Sequence, residues 1–415
     1  MRWFKLPQAS RTVAIASIAA FGLQIVFALL MLRFFTPKEV GEFSVLSQVG
    51  FFWTTLALSQ APLSLLANHD LPAAQAAQHA WLASVWRAAG LFPIAALAIW
   101  FSQLHLWPAL LWVALLAFFQ LSWMLAQSFT LRAGTSWSQT GVRVLPPLTA
   151  ALTALCGALM GGIFDWHGPT LVIAAVLGYG VGAFWLVSAL VDRVDSSTQQ
   201  EDTPRETSSS QSDSRSTSLR MAHTLIDALL ATAIVLVWQR LYGAQETGWM
   251  NALLRVLGFI PALVHLSWSQ VMLSQTDVSH KGSRYKAAMV GGLGFVSVLL
   301  LSAACALSLE REWLDTKWLG LWTYLIPLIA WQGAACLSAS LSYRPFQCDA
   351  ASQYSWGCMG LALIQAGVLF YPLLFEAVDV WTHLSAFAFV SSFGLLALSA
   401  WMFMLKTKDI SHPSL

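Results

Sequence analysis

The sequence predicts an all-α polytopic membrane protein of about twelve transmembrane helices, arranged as two pseudo-symmetric six-helix lobes around a central cavity. Three observations predict it. Of 415 residues, 57% are hydrophobic and only 10% charged, where a soluble globular chain carries about 25% charge. The hydrophobic residues fall in blocks of about twenty, the length at which an α-helix covers a hydrocarbon core of ~30 Å; strands crossing it would be about half as long and would alternate. Finally, LMLRFFTPKEVGEFSVL (Leu30 to Leu46) has a near copy in LVWQRLYGAQETGWMNALL (Leu236 to Leu254).

The blocks give spans at about 12–33, 42–67, 78–101, 106–128, 145–163, 169–191, 221–242, 247–275, 286–308, 318–341, 354–374 and 381–405. The first is too long for the apolar region of a secretory signal and reads as a span. An even number of spans leaves both termini on one side. With the N-terminus inside, fifteen of the 22 basic residues fall in inner segments, five at outer ends, and Arg87 and Arg255 within spans. Positive charge is retained in the cytoplasm near span ends, so both termini of this multi-pass protein are expected there. Residues 193–220, rich in Ser, Thr, Asp and Glu, cannot bury enough apolar surface to offset ordering entropy and read as a flexible cytoplasmic linker. It separates an N-terminal lobe, 1–192, from a C-terminal lobe, 221–415.

Aligning Gly41 with Gly248 places Arg33 on Arg240, Phe35 on Tyr242, Glu39 on Glu246, Leu46 on Leu253 and Gln48 on Arg255 without a gap. Each lobe holds an even number of spans, so the repeats share one orientation and imply a pseudo-twofold axis along the membrane normal. Within the turn, Thr36-Pro37 ends the first helix, because proline cannot continue it and restricts the residue before it. Glu39 and Glu42 then suit the N-terminal end of the next helix, where the dipole favours anions. Arg33 and Arg240 read first as interfacial anchors whose side chains snorkel outward, with substrate contact as the alternative.

RFFTPKEVGEFSVL resembles the short turn after the first helix in polysaccharide-exporting members of the multidrug/oligosaccharidyl-lipid/polysaccharide (MOP) superfamily. GWMNALLRVLGFIPALV resembles the helix that opens their second half. The nearest resemblance is to flippases of O-antigen and related lipid-linked oligosaccharides. It implies movement of a polyprenyl-diphosphate-linked oligosaccharide from the cytoplasmic to the periplasmic leaflet by alternating access, for surface polysaccharide biosynthesis. It also implies basic residues around a central cavity that accept the diphosphate, and places Arg255 where the family carries such an arginine. The chain departs from the related lipid II flippases in having no arginine cluster in its first two spans beyond Arg33.

Ionisable residues inside a span are costly and mark function by default. Arg255 and Arg87 are the diphosphate candidates, since a guanidinium presents a planar fork of donors and stays charged. A structural partner such as Glu246 is the bland alternative for Arg255. Asp227 is the candidate for a coupling proton or sodium ion, or for an internal ion pair with either arginine. Gln24, Gln48, Gln60 and Gln120 are candidates for a polar cavity lining, with helix bridging the alternative. Most of the 21 tryptophans, among them Trp100, Trp107, Trp112, Trp166, Trp313, Trp318, Trp322 and Trp381, read as an interfacial belt.

The five cysteines have no metal-binding spacing, and neither a metal nor a cofactor is expected. The net charge of +2 offers nothing to nucleic acid. The expected partners are the lipid-linked substrate, the bilayer and glycan-polymerase or assembly-complex proteins. The alternatives are an ion-coupled drug or metabolite exporter of the same superfamily and a membrane-embedded glycan polymerase or ligase; no constellation of acid, base and nucleophile supports an enzyme.

The charge bias makes a topological prediction. Reporter fusions within 208–214 and at the C-terminus should both report cytoplasm, and a periplasmic signal from either would overturn the twelve-span scheme.

Overall fold

A computed structural model describes residues 8–67, 71–164, 169–191, 212–269, 272 and 283–405. These form helices α1 (Gln8–Phe34), α2 (Pro37–Leu58), α3 (Ala61–Ala67), α4 (Ala73–Phe101), α5 (Leu106–Ala133), α6 (Ser136–Phe164), α7 (Thr170–Val191) and α8 (Ser212–Val264). The chain continues through α9 (Ser283–Glu310), α10 (Leu321–Leu341), the short α11 (Arg344–Gln347), α12 (Ala351–Leu374) and α13 (Val380–Met404). Among the described residues, ten helices are long and apolar enough to cross a membrane. Helix α8 is broken at Gly243 into arms 212–242 and 244–264, so it supplies two of the expected spans. Helix α2, whose 22 residues include Lys38, Glu39 and Glu42, supplies one more of span length. Most of the linker expected over 193–220, and Trp166, lie outside the described residues.

Two spans differ from expectation for identifiable reasons. The second, expected as one helix, is interrupted between α2 and α3, where Ser59 has φ 49°. Pro62 has no N–H to donate to the Leu58 carbonyl, which removes the bond that would have carried the helix through. The fifth begins at Ser136, earlier than the expected 145. Its first turn looks polar enough to be a loop, but the Ser138 amide donates to Thr135 Oγ1 at 3.3 Å, so the polar residues cap the helix.

The residues divide into two compact units. One contains α1 to α7 with Trp238–Gly248, the other the first arm of α8 up to Val237 and the chain from Trp249 onward. In the first, α5 is the central helix, with 56% of its most apolar window buried, against 22% for α6. Tryptophan indoles tie neighbouring helices to one another: Trp53 Nε1 donates to the Ala88 carbonyl at 2.9 Å, Trp81 Nε1 to Ser122 Oγ at 3.1 Å, and Trp123 Nε1 to the Val142 carbonyl at 2.7 Å. In the second unit α10 holds the equivalent place, 61% buried against 22% for α9 and α12. Trp318, read from sequence as part of the belt, is instead fully buried in a 3-10 turn ahead of α10. Trp107, Trp100 and Trp313 are at least two-thirds exposed.

The two central helices carry a second repeat register that the Gly41–Gly248 alignment does not show. QLSWMLAQSFTLR (Gln120 to Arg132) and QGAACLSASLSYR (Gln332 to Arg344) match at a constant offset of 212, with Gln120 on Gln332, Ser128 on Ser340 and Arg132 on Arg344. Both glutamines are buried. Both arginines bind backbone carbonyls. Arg132 donates from Nη1 to the Leu65 carbonyl at 3.0 Å and from Nη2 to that of Leu71. Arg344, only 5% exposed, donates from Nε to the Met402 carbonyl at 2.8 Å and from Nη2 to that of Leu405. The carbonyls at the end of α13 have no intrahelical donor left, and a cation there also matches the helix dipole.

The repeated turn is built twice by different means. In the first copy Thr36 and Glu39 form a full capping box: the Thr36 amide donates to Glu39 Oε2 at 2.7 Å, and the Glu39 amide donates to Thr36 Oγ1 at 3.3 Å. Glu42 lies a turn further in. In the second copy the residue equivalent to Thr36 is Gly243, which has no side chain to cap with and turns the chain through φ 83°. The two copies also touch, and reciprocally. A Cβ on Gly41 would stand 1.8 Å from the Ala244 carbonyl oxygen, and one on Gly248 would stand 1.7 Å from that of Pro37. Ala244 and Pro37 are themselves equivalent positions. Backbone meets backbone here, with no flexible side chain to yield.

These contacts have measurable costs. Gly41→Ala and Gly248→Ala should each destabilise the protein by about 1–3 kcal/mol, the range for overpacking a tight contact, while Gly292→Ala, where the added methyl meets open space, should be near neutral; melting temperatures in detergent read the difference. Arg344→Gln should cost about 1.5–3 kcal/mol, the worth of a hydrogen bond to a charged group, and a melting temperature equal to that of the parent would refute the carbonyl clamp.

Candidate functional site

Charge inside the spans is sparse and uneven. Among the described residues set two turns or more from a helix end or from the Gly243 break, the candidates for function are Arg87, Arg143, Arg255 and Asp227. Arg87 is the central residue of the 29-residue α4 and is exposed. Its Nε donates to the Ala83 carbonyl at 3.1 Å and its Nη2 to Ser84 Oγ at 3.3 Å, both within its own helix. No carboxylate among the described residues pairs with it. Arg255 is half-buried near the middle of the second arm of α8. It belongs to the second unit and Arg87 to the first.

Arg143 is the residue that sequence reasoning missed. Starting the fifth span at 145 placed it in a loop, whereas α6 begins a full two turns earlier. It is half-buried, and its Nη1 donates to the Gln139 carbonyl at 2.8 Å. The legible signal was Thr135, a capping residue directly ahead of an amphipathic run.

Arg33 and Arg240 are both exposed at the ends of their helices, as anchors would be. Arg240 also lies over the Phe101 ring, 5.9 Å from its centroid. Of the polar candidates, Gln24 is exposed on α1, Gln48 is half-buried on α2, Gln60 lies in the α2–α3 break, and Gln120 is buried at the centre of its unit. A cleft of about 190 Å³ in the first unit is lined by Trp53, Ala57, Val85, Ala88 and Phe118 and is almost wholly apolar. Arg87 does not serve it: at 100° per residue the arginine stands about 200° around α4 from Val85.

Asp227 is exposed, and its ion-pair partner is His223, with imidazole Nε2 3.1 Å from Asp227 Oδ2. The alternative of a pair with Arg87 or Arg255 therefore gives way to a partner on the same helix, one turn back. The spacing HTLID was readable as an i, i+4 pair. No group of three or more metal-binding side chains occurs among the described residues.

No protein-family model and no curated protein matches the chain. Solved structures do. One is an inward-facing multidrug resistance MATE family transporter of the MOP superfamily, at 10% identity and TM-score 0.51, covering 96% of this chain and 98% of that one. Another is the MATE multidrug transporter DinF-BH, at 13% identity and TM-score 0.53, covering 98% of this chain and all of the other. At such identity the likeness is one of fold, and the chain has the helical membrane fold of these transporters over nearly its whole length.

Proposed function

We propose that the chain is a membrane transporter that flips a polyprenyl-diphosphate-linked oligosaccharide between leaflets of the bacterial inner membrane by alternating access, in surface polysaccharide biosynthesis. The observation that carries this reading is the sign of the intramembrane charge. Among the described residues two turns or more inside the spans, three arginines, Arg87, Arg143 and Arg255, stand against one carboxylate, Asp227, whose ion-pair partner is His223. An arginine at the centre of a span costs about 2.5–3.5 kcal/mol or more unless water or an anion meets it. A diphosphate meets that need, and the guanidinium fork matches its oxygens two at a time. Gln24, Gln48 and Gln60 are proposed to face sugar hydroxyls, and polymerase or assembly proteins to receive the product.

A second reading, an ion-coupled exporter of drugs or metabolites, is favoured by the likeness to two multidrug transporters. In that case Asp227 is the coupling group, and Asp227→Asn would abolish gradient-driven export while the arginines would be dispensable.

The variants Arg87→Gln and Arg255→Gln separate these readings when surface glycan and membrane protein level are measured together. Among the described residues Arg87 hydrogen-bonds only Ala83 and Ser84 of its own helix, so its loss breaks no link between helices and the protein should stay abundant. Export should fall by roughly tenfold or more for either variant, with lysine restoring part of it because it keeps the charge but loses the fork. Normal glycan at normal abundance in both variants would defeat the flippase reading.

A further inference from the structure

The apolar cleft of the first unit lies where α2, α4 and α5 meet, and its walls are pinned to one another. Trp53 of α2 donates from Nε1 to the Ala88 carbonyl of α4 at 2.9 Å, and Thr54 donates from Oγ1 to the Ala117 carbonyl of α5 at 3.2 Å. All four residues line the cleft, so the bonds that join the helices also set its width. Its sides are largely alanine, from Ala57, Ala88, Ala89, Ala114 and Ala117, and they enclose about 190 Å³. Along α4 the lining residues are bracketed by Trp81, whose ring centroid is 6.2 Å from that of Phe118, and by Phe92, 6.0 Å from Trp53. Ala88 and Ala89 directly follow Arg87, the central residue of α4, which places the cleft at the middle of that span. Ala89 and Phe118 are exposed, and α4 has only 17% of its most apolar window buried, so the cleft opens on the outer edge of its unit. The other half does without this space. By the offset of 207 Ala57 corresponds to Val264, and by that of 212 Ala114 and Ala117 correspond to Ile326 and Ile329. Phe118 corresponds to Ala330 and Leu121 to Gly333, where an added Cβ would run into the Phe295 ring, so a side chain of α9 occupies that place.

We propose that the cleft between α2, α4 and α5 is a binding site for one acyl chain of a bilayer phospholipid, kept by the protein as a resident. The walls cannot close on the space without breaking hydrogen bonds that hydrocarbon does not replace. Water does not suit it, since a buried water needs two to four polar partners and the polar groups of these walls already bond one another. An apolar protein cavity of about 150 Å³ stays dry and takes up benzene. This one is larger and opens at the middle of a span, where the surrounding molecules are lipid chains. Left empty, it would forfeit the dispersion contacts of every wall at once. A linear chain restores them, laying methylenes against alanine Cβ atoms, while the open side at Ala89 and Phe118 lets the rest of the lipid stay in the bilayer. The lodged chain joins α4 to α2 and α5 by contacts that the second half makes with Ile326, Ile329 and Phe295. Arg87 stands on another face of α4 and takes no part.

The test places the full-length protein in phospholipid nanodiscs that contain a phosphatidylglycerol with a diazirine midway along one acyl chain, and maps the photo-cross-links by peptide mass. Yield at the lining residues of α4 and α5 should exceed that at Phe389 and Phe393, exposed residues of α13, by at least about tenfold, a step of about 1.4 kcal/mol in affinity. Ala114→Ile with Ala117→Ile fills the space with the side chains the second half carries, and should bring the yield down to the level of Phe389 without lowering the melting temperature. If that double variant fails to reach the membrane, Ala114→Ile alone, which should lower the yield in the same direction, decides. A parent yield no higher than at Phe389 and Phe393, or one that filling leaves unchanged, would overturn the proposal. So would preferential labelling of the cleft by a polyprenyl phosphate carrying the same diazirine, which would assign it to an isoprenoid chain instead. None of these outcomes depends on what the protein transports.

Discussion

Hydrocarbon offers no hydrogen bonds, and the architecture follows from that. A helix satisfies its own backbone except at its ends, where unpaired carbonyls and amides remain. In this chain those ends are met by side chains chosen for reach and charge. Thr36 and Glu39 close the start of α2, Arg344 takes two carbonyls at the close of α13, and Arg132 takes the carbonyls of Leu65, near the end of α3, and Leu71, just ahead of α4. Asp379 caps the start of α13, where the hydrogen bonds from Thr382 hold its carboxyl below the usual range. The same need explains the indoles of Trp53 and Trp123, whose N–H groups would otherwise be unpaired in an apolar interior and which end on the carbonyls of neighbouring helices.

Once the ends are accounted for, arginines sort into two kinds by what their donors touch. Arg132 and Arg344 are committed to backbone carbonyls of other segments, so removing them takes charged donors away from those groups. Arg87, at the centre of α4, bonds only its own helix among the described residues, at Ala83 and Ser84. The equal-looking arginines of the sequence are thus unequal in energy, and only the partners reveal it.

How much of this was legible depended on whether the signal was local. Span number, the end of the first helix at Thr36-Pro37 and the equivalence of the two turns could be read because proline, glycine and apolar block length act within a few residues. The break at Ser59 was hidden because its cause, Pro62, lies in an otherwise unbroken apolar run. The start of α6 was misplaced because capping residues look like a loop when the helix they cap is not yet known, and Arg143 was lost with it. Trp318 was assigned to the belt by composition, which cannot distinguish an indole at an interface from one buried in the turn ahead of α10. Arg132 and Arg344 counted only as inner charges, although QLSWMLAQSFTLR and QGAACLSASLSYR carry the second register plainly. Their targets, in contrast, come from distant segments, which no local pattern specifies. His223 was passed over because Tyr354, the ring it meets on α12, is more than a hundred residues away.

The repeat also shows which features the fold does not require. Extending the offset of 207 that pairs Gly41 with Gly248 back along the preceding helix places His223 on Ala16 and Asp227 on Ala20. Both alanines are buried, at 2% and 9% exposure, and pack closely in their unit. The same helix position is therefore met in one half by the smallest packing residue and in the other by an imidazole–carboxylate pair. Packing alone is satisfied by alanine, so it cannot be the reason for histidine and aspartate. The imidazole is only 19% exposed, and burying a polar ring carries a cost that alanine avoids. The pair is carried by one half only, with the His223 ring set against Tyr354 on the facing helix, so it is an addition to the symmetric scaffold and not part of it.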